Sequence, residues 1–104
     1  MRPITFDEAR ALAEEEGRRA LEVFMASDRV PVLSQEFLEA EHCWIFLRNS
    51  EIFIPPEGAL RGEWAYAVSK FGVVRQMYDL RDDPPKMAKH LQDMSGYFAA
   101  RAGL

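Results

Sequence analysis

The fold this sequence predicts is an α+β domain: a small antiparallel sheet of about four strands packed with an N-terminal and a C-terminal helix. Three observations lead there. Between Trp64 and Val68 the side chains alternate, Trp64, Tyr66 and Val68 on one face and Ala65 and Ala67 on the other, which is the period of a strand and of no helix. Thr5 and Glu8 open a stretch whose apolar residues recur at spacings of three and four, the period of a helix. Near the other end, Asp83-Pro84-Pro85 places an N-cap before proline at the first helical position, where a missing N–H does no harm.

Taken in order, the first helix starts at a capping box, Thr5 with Glu8, and carries Phe6, Ala9, Ala13, Gly17, Ala20 and Phe24 on one stripe, widened by Leu12, Leu21 and Met25. Gly17 costs about 1 kcal/mol of helix propensity relative to alanine, and a stripe this small lets a helix lie close to a sheet. The helix should fade near Ala26 to Arg29, before Val30-Pro31 forces extended backbone. Val32-Leu33 and Phe37-Leu38 are short apolar pieces separated by Ser34-Gln35-Glu36. His42 to Leu47 reads as a central strand buried on both faces, Asn49-Ser50 as a turn, and Ile52-Phe53-Ile54 as a short strand ended by Pro55-Pro56. The segment from Pro55 to Gly62 is a loop. Trp64 to Tyr78 then forms a hairpin: a half-buried outgoing arm, Gly72 supplying positive φ, and Val73, Val74, Met77 and Tyr78 returning. The last helix would bury Met87, Leu91, Met94 and Phe98, with Gly96 loosening its end.

One domain accounts for all 104 residues, which are 48% apolar and 29% charged. A net charge of −4 argues against a nucleic-acid binder, which needs a basic surface to displace counterions from phosphates. The single Cys43 excludes an intramolecular disulfide. The N-terminus turns acidic at once, without the apolar core of a signal peptide, and no apolar run approaches the roughly 20 residues that span a bilayer. The expectation is a soluble cytoplasmic protein that binds neither nucleic acid nor membrane.

Little of the sequence carries chemistry. His42, Cys43 and His90 lack the spacing of a zinc site. A Cys43–His90 nucleophilic pair is conceivable, but a cysteine inside an apolar strand is ordinarily a core hydrophobe with an unreactive thiol. The glycines around Pro55 to Gly62 form no phosphate-binding pattern, so no cofactor is implied. Glu14, Glu15 and Glu16 are the densest charge on the chain; as consecutive helical residues they diverge and form a solvated face, partly offset by Arg18 and Arg19, that would steer a basic partner. Arg61 and Trp64 are residue types enriched at interface hot spots.

The order of elements resembles the YrhB-type immunity proteins of bacterial polymorphic-toxin systems. Cys43-Trp44-Ile45-Phe46, followed by the Asn49-Ser50 turn, resembles that family's tryptophan-plus-aromatic strand. Ala67 to Val74 is similar to its Val-x-Lys-x-Gly-x-Val hairpin, and the helix with Leu91 and Tyr97-Phe98 to its closing helix. Gly62-Glu63-Trp64-Ala65 stands where the family has Gly-x-x-Pro. The resemblance implies a protein without catalysis that neutralises a cognate toxin or effector by binding it. The first contacts expected are Glu14, Glu15, Glu16 and Arg61. Two other readings stand beside it: a small-molecule-binding domain or minor enzyme with a pocket between helix and sheet lined by Trp64, Tyr66 and His90, and a homo-oligomer pairing exposed sheet edges.

Overall fold

A computed structural model describes residues 2–24, 30–52 and 64–104. Its elements run α1 (Phe6–Leu21), a 3-10 turn (Glu22–Phe24), β1 (Leu33–Glu39), β2 (Cys43–Arg48), β3 (Trp64–Ser69), β4 (Val74–Tyr78) and α2 (Pro84–Arg101). Among the described residues the strands form one sheet in the order β1-β2-β3-β4, antiparallel throughout. Each strand therefore pairs with its neighbour in sequence, and no long crossover is needed. The predicted α+β architecture, four strands with a helix from each end of the chain, is the one observed.

The two helices cover opposite faces. Ala9, Ala13 and Leu21 of α1 pack with Trp44, Phe46, Tyr66 and Val68, the even-numbered residues of the two central strands. Met87, Leu91 and Phe98 of α2 pack with Cys43, Ile45, Leu47, Ala65 and Ala67, the odd-numbered ones. This corrects the half-buried reading of β3, in which every residue from Ala65 to Ser69 is buried. The alternation in β3 is one of size rather than polarity. Large rings fill the space under α1, while two alanines let α2 come down close on the other side.

Local chemistry explains most boundaries. At the start of α1 the Thr5 hydroxyl accepts from the Glu8 N–H and the Glu8 carboxylate accepts from the Thr5 N–H, closing the predicted capping box. These bonds hold the Glu8 carboxyl below its usual range. A Cβ on Gly17 would meet Val32 Cγ2 at 3.2 Å and the Tyr66 ring at 3.5 Å, so the glycine permits the approach of α1 to the sheet. The α-helix tightens into the 3-10 turn after Leu21; the stretch where it was expected to fade, 26–29, lies outside the described residues.

β1 is one strand rather than two apolar pieces, with a shift of register between Leu33 and Phe37. Ser34 to Glu36 can be polar because an edge strand needs only one paired side, and the Ser34 hydroxyl accepts from the Glu36 N–H within the irregularity. Asn49 holds the predicted turn: its side chain accepts from the Glu51 N–H and donates to the Pro31 carbonyl. Ile52 is buried in a bend under α1, not in a strand, and the rest of the predicted short strand and the loop after it lie outside the described residues. In the hairpin, Gly72 has φ of 91° and the Ser69 hydroxyl accepts from the Phe71 and Val73 N–H groups. Asp83 caps α2 as predicted, accepting from the Lys86 N–H. Gly96 does not loosen this helix, which runs on to Arg101. Its cost of about 1 kcal/mol is smaller than the roughly 1.5–3 kcal/mol gained by burying Phe98 two residues further along.

Tyr66 is the largest fully buried side chain, and among the described residues its hydroxyl has no hydrogen-bond partner. A buried unpaired hydroxyl costs about 1–3 kcal/mol. Tyr66→Phe should therefore raise stability, by about 1 kcal/mol in chemical denaturation; a loss of that size would show that the hydroxyl is paired in solution.

Candidate interaction surface

Among the described residues β1 and β4 are the strands with an open side, and they differ. β1 is kinked by its register shift and carries Glu36 and Glu39, devices that discourage further pairing. β4 pairs with β3 in unbroken register from Val74 to Tyr78. The Ser69 N–H donates to the Val73 carbonyl at 2.8 Å. Antiparallel ladders alternate bonded and non-bonded pairs, so Arg75 and Met77 aim their main-chain groups at β3 while Val74, Gln76 and Tyr78 aim theirs outward. Among the described residues no strand covers that side. The Val74 carbonyl accepts from Arg75 Nη1 at 2.9 Å, leaving the groups of Gln76 and Tyr78 as the accessible stretch.

Both flanks of this edge carry residues that favour protein contacts. On the α1 face Tyr78 is 54% exposed and stacks on Trp64 with ring centroids 5.1 Å apart. On the α2 face Arg75 Nε donates to the Tyr97 hydroxyl at 3.4 Å, and the Arg101 guanidinium lies 5.5 Å from the Tyr97 ring centre. The bond from Arg75 holds the Tyr97 phenol below the ordinary tyrosine value. Tyrosine, tryptophan and arginine dominate binding energy at interfaces because they bury large area with few rotatable bonds and still offer polar tips. Below the arginines, between the hairpin and the end of α2, lies a cavity of about 230 Å³ lined by Ser69, Phe71, Val73, Arg75, Phe98 and Arg101 together with Ala102.

The residues singled out from sequence fall elsewhere. Glu14, Glu15 and Glu16 lie on α1, where Arg10 pairs with Glu14 and Arg19 with Glu15 and Glu16. The triplet is thus offset by its own helix and projects less field than its sequence suggests. Arg61 lies outside the described residues. Trp64 and Tyr66 sit on the α1 side of the sheet, whereas His90 is on α2, so the three do not line one pocket between helix and sheet. Cys43 is buried beneath α2, its thiol 4.0 Å from the Leu91 carbonyl, and burial pushes it up to about 11. A thiol so protonated is a poor nucleophile at neutral pH.

Burial also pushes the Tyr66 phenol up to about 12. Below pH 9 both groups keep their protons in the folded and unfolded chain, and neither makes stability depend on pH. Above their ordinary values of 9.0 and 10.0 the unfolded chain ionises first, so stability falls as pH rises from about 9 to about 12. The loss should be on the order of 1–2 kcal/mol per group after solvent screening, read by denaturant titration. Tyr66→Phe should remove the upper part of that decline; an unchanged profile would contradict the assignment.

Among the described residues no helix is long and apolar enough to cross a membrane, and no three histidine, cysteine or carboxylate side chains gather as metal ligands. In comparisons with protein-family models, curated proteins and solved structures, nothing matches this chain.

Proposed function

We propose that this chain is a binding protein of the immunity type, which neutralises a toxin-like effector by occupying it and performs no chemistry of its own. The observation that supports this is the outer side of β4: a regular strand edge, unpaired among the described residues, flanked by Trp64 and Tyr78 on one face and by Arg75, Tyr97 and Arg101 on the other. An edge of this kind recognises an extended segment through main-chain hydrogen bonds, with the flanking side chains setting specificity. That the partner is a toxin-like effector is what the resemblance in the Cys43–Phe46 strand and the Ala67–Val74 hairpin implies. Because Arg75 and Arg101 flank this edge on the α2 face, the captured segment is acidic there. The basic partner suggested by overall charge gives way to local complementarity.

The test is co-expression with candidate effectors, scored by growth. The wild-type chain should restore growth with its cognate effector, and folded Cys43→Ala and His90→Ala variants should restore it equally. Loss of rescue in those two variants, with their fold intact, would replace binding by catalysis.

A further inference from the structure

The two arginines that flank the outer side of β4 also line the cavity beneath it. Arg10, Arg19, Lys70, Arg81 and Lys89 each sit against a carboxylate. Arg75 and Arg101 have no acidic partner among the described residues, although the chain holds 17 acids against 13 lysines and arginines. Both contribute to the wall of the same cavity, and both touch the same ring, Arg75 at the Tyr97 hydroxyl and Arg101 at its face. Two guanidinium groups repel each other. Gathered at one ring, they concentrate positive charge that a carboxylate would complement.

The remaining wall is apolar, from Phe71, Val73, Phe98 and Ala102, with the buried Ser69 beside it. Bare phosphate would leave that wall unmatched; a neutral apolar molecule would leave the arginines unmatched. At about 230 Å³ the cavity lies below the roughly 300 Å³ at which drug-sized sites begin. We propose that this pocket is a carboxylate-binding site for a small acid with an aromatic or branched apolar body. The carboxylate takes charge-assisted hydrogen bonds from Arg75 and Arg101, and the body lies against Phe71 and Phe98. Tyr97 holds the two guanidinium groups in place and is a positioning residue. The site stands whether or not the β4 edge captures an effector.

The test uses the full chain and 3-phenylpropionate as probe, followed by NMR on the main-chain amides of Ser69 and Val73 and the side-chain Nε–H of Arg75. Saturable shifts at these signals are expected, with a dissociation constant of about a millimolar, the range for a ligand of this size. 3-Phenylpropionamide, which keeps the body and loses the charge, should bind at least about tenfold more weakly. Acetate, which keeps the charge and loses the body, should do the same. Arg75→Gln and Arg101→Gln are exposed changes that leave the core intact; each should weaken the acid about tenfold and leave the amide unaffected. Shifts scattered over the surface, equal binding of acid and amide, or full binding by the double variant would each overturn the site.

Discussion

Phe46→Ala is expected to destabilise the domain by about 3–5 kcal/mol, the loss that follows truncation of a fully buried aromatic ring. Phe46 is fully buried in the middle of β2, pairs across the sheet with Tyr66, and lies 5.5 Å from the Phe6 ring and 6.3 Å from that of Phe37. Truncation removes an aromatic ring from the one place where α1, β1 and the central strands meet. Two central strands hold the walls of the resulting void apart, so relaxation cannot close it. A domain of this size has about 5–15 kcal/mol in total, so the variant should unfold at far lower denaturant and fail to accumulate at 37 °C. Phe37→Ala is the control. Phe37 is 45% exposed at the rim of the same cluster and should cost about 1 kcal/mol. Equal losses at the two positions would mean that the aromatic cluster is not centred on Phe46.

The second large effect concerns binding. Gln76→Pro should lower affinity for the neutralised effector at least 100-fold while lowering stability by no more than about 1–2 kcal/mol. Gln76 is exposed, and its N–H points away from β3, so proline removes no bond of the sheet. It does remove the donor an added strand needs, and its ring blocks close approach. Met77→Pro separates the two consequences: Met77 is buried and its main chain bonds to β3, so that change should unfold the hairpin outright. A folded Gln76→Pro variant that binds normally would place the contact on another face.

Much of the architecture is legible in the sequence because the signals are local. Thr5 with Glu8, Asp83 with Pro84, and Gly72 between two apolar arms each depend on neighbours within a few residues, and each acts in the fold as its pattern predicts. The single strand β1 was harder to read, since Ser34 to Glu36 look like a break unless one knows that the strand is an edge. β3 misleads for another reason. Ala65 and Ala67 are small enough to resemble a weakly exposed face, and only the position of α2 shows that their size serves helix packing.

The candidate surface was barely legible. Tyr97 and Arg101 are four residues apart on a helix, a spacing that could have marked a cation–aromatic pair. Nothing local brings Arg75 to them, because 22 residues and a change of element separate it from Tyr97. The glutamate triplet stands out in the sequence by charge density alone. Its offset by Arg10 as well as Arg19 emerges only with the side chains in place.

Amide hydrogen exchange on the chain, free and bound to the effector whose toxicity it suppresses, tests the outer β4 edge most directly. Free, the Gln76 and Tyr78 amides should exchange quickly and those of Arg75 and Met77 slowly. Bound, Gln76 and Tyr78 should slow by at least about tenfold, as expected of groups taken into a new ladder. Fast exchange retained at both positions, with protection arising instead along α1 around Glu14 to Glu16, would contradict it.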